Sequence, residues 1–128
     1  MGGFWQIDHL PKAESGLKRF LKPFKGKNKE KYAYFYFSIL EGLREQGLHP
    51  SADPEPLPGN ISLPTEVELW KIRVDVPGLR GAISKLRILY LRYVLEERVL
   101  IISVYTHKEF EKRPPDHILA KLIKGELK

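Results

Sequence analysis

The chain has 128 residues, a formal charge of +6 from 22 Lys/Arg against 16 Asp/Glu, and no cysteine. A chain of this length can bury a single apolar core. Without cysteine it can form neither a disulfide framework nor a thiolate metal site. No window approaches the roughly 18 apolar residues of a membrane span, and the N-terminus lacks the apolar run of a secretory signal, so a cytoplasmic protein with no membrane association is expected.

A basic balance favours an anionic partner, and its distribution sharpens the reading. Residues 1–47 hold nine Lys/Arg against five Asp/Glu, and residues 67–128 hold thirteen against eight. Residues 48–66 have no basic residue and three acids, Asp53, Glu55 and Glu66. We read 1–128 as one domain with a helical part over 1–47, a proline-rich loop over 48–66, and a sheet with a closing helix over 67–128.

In chain order, Trp5 and Ile7 alternate with polar neighbours, which fits a short strand or an ordered lead-in. Leu17, Phe20, Leu21 and Phe24 lie at helical spacing within Glu14–Phe24, where Pro23 ends or bends a helix. Asn28 is a candidate N-cap for a longer helix reaching Gln46, with Gly47 just past its end. Tyr32, Phe35, Tyr36, Ile39, Leu40 and Leu43 form an amphipathic stripe on that helix. The aromatics of Tyr32–Phe37 also alternate, so a strand stays open there. The stripe reads as core, with no ligand role.

Leu48–Pro64, with five prolines, predicts an irregular connection. Three strand-like segments follow. In Val67–Val76, Trp70, Ile72 and Val74 point one way and Lys71 and Arg73 the other. Lys85–Leu95 is apolar on both faces, as a central strand is, with Lys85 and Arg87 near its start. Glu96-Glu97 is a short connection, so Arg98–His107 should pair antiparallel with it. Pro114-Pro115-Asp116 opens a last helix whose Ile118, Leu119, Leu122 and Ile123 can pack on the sheet. The expected class is α+β: two helices, a long loop, an antiparallel sheet of three to four strands and a C-terminal helix.

This order, with its local sequences, resembles the RelE/HigB superfamily of toxins from bacterial toxin–antitoxin modules, in pattern its HigB-like, phage-derived branch. The resemblance runs from Ile39–Gly47 through Leu69-Trp70-Lys71-Ile72-Arg73-Val74, Leu86-Arg87-Ile88-Leu89-Tyr90 and Tyr105–Glu109 with Pro114, to Ala120. His107 stands where lysine is usual, and no tyrosine follows Lys108.

The resemblance implies a metal-independent, ribosome-dependent mRNA endoribonuclease with no cofactor. Its partners would be a cognate antitoxin, of helix-turn-helix type, together with the ribosome and mRNA. In that chemistry the 2′-hydroxyl attacks the adjacent phosphorus, which calls for a proton acceptor, a donor to the leaving 5′ oxygen and cations for the phosphorane. Arginine suits the cationic role through its bidentate fork, and histidine suits proton transfer because it titrates near neutrality. The implied catalytic residues are Arg73, Arg87, His107 and Lys108, with Lys71, Lys85, Lys112 and Arg113 binding RNA. Arg87 begins an apolar strand, so it either pairs with a carboxylate or faces a cleft, and the cleft is favoured. His9, His49 and His117 take no role, and four histidines without HxH or HExxH spacing give no metal signal. The alternative is a non-catalytic RNA- or protein-binding module of the same fold, gyrase-inhibitor-like or degenerate.

Overall fold

The computed structural model describes residues 4–127. Nine-residue strands dominate it: β3 (Val67–Asp75), β4 (Lys85–Tyr93) and β5 (Arg98–Thr106) form an antiparallel meander with β4 in the middle. Short strands β1 (Gln6–His9) and β2 (Ala52–Pro54) complete a five-stranded sheet in the order β1-β5-β4-β3-β2. The α+β expectation and its antiparallel core hold. The sheet is mixed because β1 runs parallel to β5. The loop over 48–64 is not irregular throughout, since Ala52–Pro54 pairs with β3 at the sheet edge, where a proline is tolerated.

Helix α1 (Pro11–Leu21) starts three residues before the sequence pattern suggests, with proline in its first turn, where no N–H is missed. Helix α2 (Gly26–Glu41) has Lys25, not Asn28, at its cap position and stops short of Gln46. The carbonyls beyond its end are taken by other elements. Trp5 N–H donates to Arg44 (2.7 Å), Arg92 to Gln46 (2.8 and 2.9 Å) and the Tyr90 hydroxyl to Gly47 (3.0 Å). Gly47, at φ 68°, lies under the Trp5 ring, where a Cβ would come within 2.5 Å of it. Helix α3 (Asp116–Glu126) follows the double proline as expected.

Both faces of the sheet are apolar. On one, Ile72, Leu86, Ile88, Tyr90, Val99, Ile101 and Val104 meet Ala13, Phe20 and Leu21 of α1 and Tyr32, Tyr36, Ile39 and Leu40 of α2. On the other, Val67, Leu69, Leu89, Leu91, Tyr93, Leu100, Ile102 and Tyr105 meet the buried Leu119 and Ile123 of α3, with Leu10, Ile61, Leu63 and Phe110 packed partly buried around them. Ile118 of α3 is exposed instead of packed. Burial of each such side chain contributes about 1.5–3 kcal/mol. An 11-residue helix spans about 16 Å, so α3 roofs only part of its face. The open part carries the polar ends of β3, β4 and β5.

Strand β5 has one irregularity. Tyr90 pairs with Ile101, but the preceding Leu89 pairs with Ser103, which leaves Ile102 as an extra residue. A bulge reverses the alternation beyond it. Tyr105, opposite Arg87, therefore lies on the α3 face, while Val104 and Thr106 lie opposite Ile88 and Leu86 on the α1 face.

Helix α1 lies against β5 at Gly16, where a Cβ would sit 2.1 Å from the Val104 carbonyl oxygen. That neighbour is backbone and cannot rotate away. Gly16→Ala should therefore destabilise the fold by about 1–3 kcal/mol in urea unfolding. Gly125→Ala in α3, which meets nothing within 4 Å, should be neutral or gain about 0.5–1 kcal/mol.

Candidate functional site

Where α3 leaves the sheet uncovered, a cleft of about 670 Å³ opens. Its floor and walls are Lys71 and Arg73 from β3, Arg87 from β4, His107 just past β5, Glu55 and Pro56 after β2, and Glu111–Asp116 leading into α3. Five segments thus deliver one strongly basic concavity. The placement follows from register. Lys71 and Arg73 alternate with the buried Ile72, and Arg87 stands directly opposite Arg73.

Like charges directly opposed across strands are destabilising. Arg87 offsets this by donating to the carbonyls of Leu86 (3.0 Å) and Val74 (3.3 Å). Partial burial lowers its pKa, with Asp75 and Tyr105 opposing and Arg73 adding to the fall. A guanidinium stays charged at neutral pH regardless. Arg73 is exposed, and among the described residues no carboxylate lies within ion-pairing distance of it, of Arg87 or of Lys112. A neighbouring hollow of about 380 Å³ reaches the same arginine pair from beside Phe35, Ser51 and Asp75.

The other cations are engaged. Lys71, with its side chain 9% exposed, lies 3.5 Å from the Glu55 carboxylate and donates to the Lys112 carbonyl (3.2 Å). The buried Tyr105 hydroxyl donates to the same carbonyl. Arg113 donates to Glu55 (3.0 Å), Asp116 (3.0 Å) and the Pro56 carbonyl, so it clips the β2 loop to the start of α3. Burial lowers the Lys71 pKa, which Glu55 opposes and Arg73 reinforces.

His107 is half-buried, and its backbone N–H donates to the Lys85 carbonyl (3.2 Å). Its imidazole pKa is lowered by burial first, then by Arg87, Lys85 and Lys71, with Glu111 opposing. These surroundings favour the neutral ring, the form able to accept a proton.

The structure brings together Lys71, Arg73, Arg87, His107, Lys112 and Arg113. Lys85 sits beside them, paired with Asp75 (3.1 Å), without lining the cleft. Lys108 does not join them. It alternates to the α1 side and lines a separate groove with Phe20, Phe24 and Ile83. Glu55 was missed at this site by the sequence reading, which took the acids of 48–66 as a connecting loop. The available signal was a lone Glu between Pro54 and Pro56 in a segment with no base of its own. Among the described residues, no group of three or more His, Cys, Asp or Glu is placed to hold a metal ion.

No protein-family model matches the chain, and no curated protein matches it. Among solved structures, the chain is similar to a metal-bound toxin from Helicobacter pylori. That match has a TM-score of 0.44 and 18% identity, covering 83% of this chain and 98% of that one.

The electrostatics around His107 can be checked directly. Its ring protons, followed by NMR, should titrate below the ordinary value of about 6.5. Arg87→Ala should move the midpoint upward, because it removes the largest opposing charge. An unmoved midpoint would place His107 away from the arginine.

Proposed function

We propose that this protein is the toxin of a RelE/HigB-like toxin–antitoxin module and cleaves mRNA on the ribosome, in the cytoplasm. The supporting observation is the cleft in which an opposed arginine pair, free of carboxylate partners among the described residues, adjoins a histidine whose pKa is lowered by burial and by the cations around it. Phosphoryl chemistry needs those groups together. Arg73 and Arg87 would hold the non-bridging oxygens of the scissile phosphate and offset the charge of the phosphorane. His107 accepts the 2′-hydroxyl proton as that oxygen attacks phosphorus. The bond to the 5′ oxygen then breaks, and exposed Lys112 on the cleft wall is a donor to it. Every group needed comes from the chain itself, so the reading calls for no cofactor.

An antitoxin of helix-turn-helix type would neutralise the protein by laying an acidic helix or added strand on this basic cleft. Finding a small helix-turn-helix protein encoded beside this one would support that partnership.

One observation favours a non-catalytic module of the same fold. Lys71 and Arg113 are already paired with Glu55 and Asp116, which leaves fewer cations for a substrate. Salt-dependent RNA binding without products would select that reading, and a DNA-supercoiling assay would select its gyrase-inhibiting form.

The test is expression of the chain from a tight promoter. The wild type should arrest growth and cut translated mRNA, and Arg87→Ala should lower cleavage by about 100- to 1,000-fold, as loss of one oxyanion donor does. A folded wild-type protein that neither slows growth nor cuts mRNA sinks the nuclease reading.

His107→Ala should cost about 100- to 10,000-fold in rate with little change in Tm, since the ring sits at a cleft edge. His107→Lys should keep part of the activity. In the wild type, activity should fall as pH drops through the lowered His107 pKa, because imidazolium cannot accept the proton. Full activity with a large loss of stability would make His107 structural.

A further inference from the structure

Glu55 is the anion around which half of the cleft is arranged. It follows β2, its backbone N–H donates to the Leu69 carbonyl (3.0 Å), and prolines on both sides restrict its backbone. Its side chain is 5% exposed. One carboxylate oxygen, Oε2, serves both Arg113 (3.0 Å) and Lys71 (3.5 Å). Lys71 then reaches the Lys112 carbonyl, and Arg113 reaches Asp116. A buried carboxylate is costly unless paired and hydrogen-bonded. Here it joins β3, the β2 loop and the segment entering α3 through a single atom.

We infer that Glu55 is a positioning residue that, together with Asp116, neutralises Lys71 and Arg113 and holds them in the cleft, leaving the substrate phosphate to Arg73 and Arg87. The inference rests on the RNA-cleaving reading above and adds to it a limit on how the strand is gripped. With the floor internally neutralised, the cleft grips the scissile phosphate at the arginine pair and makes no second strong contact beside it. A chain lacking the carboxylate would leave one further positive charge unbalanced, chiefly at Lys71 since Arg113 keeps Asp116, and would bind RNA more tightly, with the phosphate drawn away from the arginines.

The test compares wild type, Glu55→Gln and Glu55→Asp. Affinity for a single-stranded RNA oligonucleotide is measured against salt, and cleavage on translating ribosomes against pH. Each added phosphate contact on a single strand steepens the dependence of log affinity on log salt by about 0.7. Glu55→Gln should show that steepening while its kcat falls by up to about 100-fold, as small misplacements do. Its pH profile should keep the form set by His107. Glu55→Asp, which restores the charge, should return the wild-type salt slope and part of the rate. A lost limb of the pH profile would instead make Glu55 a proton-transfer group and overturn the inference, as would an unchanged salt slope with wild-type cleavage.

A stability cycle of Glu55→Gln with Lys71→Met, read in urea, needs no RNA. The two substitutions should be coupled, with the double variant more stable than the sum of the singles predicts, and additivity would overturn the pairing. A wild type that neither binds nor cleaves RNA would sink the nuclease reading, and the cycle would still decide whether Glu55 holds Lys71.

Discussion

Strand β4 is buried on both faces, and that demand organises the rest of the molecule. A sheet with two apolar faces needs two covers. Helices α1 and α2 supply one in full. The other comes mainly from α3, which buries Leu119 and Ile123 there, with Leu10, Ile61, Leu63 and Phe110 packed beside them. The uncovered strip must then be polar, and β3 and β4 make it so by placing Lys71, Arg73 and Arg87 where Val67, Leu69, Leu89 and Leu91 stand further along the same face. The cleft is a consequence of a short roof over a long sheet.

A basic strip of this kind is electrostatically expensive, and the molecule meets the cost in two ways. At the floor, Glu55 comes in from the β2 loop and shares one oxygen between Lys71 and Arg113. Beside it, Arg87 is left to backbone carbonyls and Arg73 to solvent. The same cleft therefore contains a neutralised structural half and a charged half. His107 borders the charged half, where burial and its cationic neighbours lower its pKa. The cations left open to solvent and those held in fixed ion pairs are different residues.

The bulge at Ile102 decides which residues after β5 enter the site. Alternation carried straight on from Leu100 would bring Thr106 and Lys108 to the α3 face. The extra residue brings Tyr105 and His107 there and turns Lys108 toward α1. Tyr105 then fixes the Lys112 carbonyl that Lys71 also uses, so the bulge orders the wall as well as supplying the histidine.

The sequence by itself determined the α+β class, the three long strands, their antiparallel order and the closing helix. These follow from period-two and helical spacing together with proline punctuation, which are local properties. It also placed Arg73 and Arg87 near the ends of adjacent strands, because a charge within an apolar strand needs an outlet. Tertiary structure alone decided the rest. The parallel pairing of β1 and the pairing of Ala52–Pro54 depend on strands distant in sequence. The early end of α2 depends on carbonyls claimed by Trp5, Tyr90 and Arg92. The exclusion of Lys108 depends on one bulged residue that leaves no mark in composition. Glu55 lay hidden for the same reason, since a loop glutamate becomes the centre of a site only when folding buries it against cations 16 and 58 positions away.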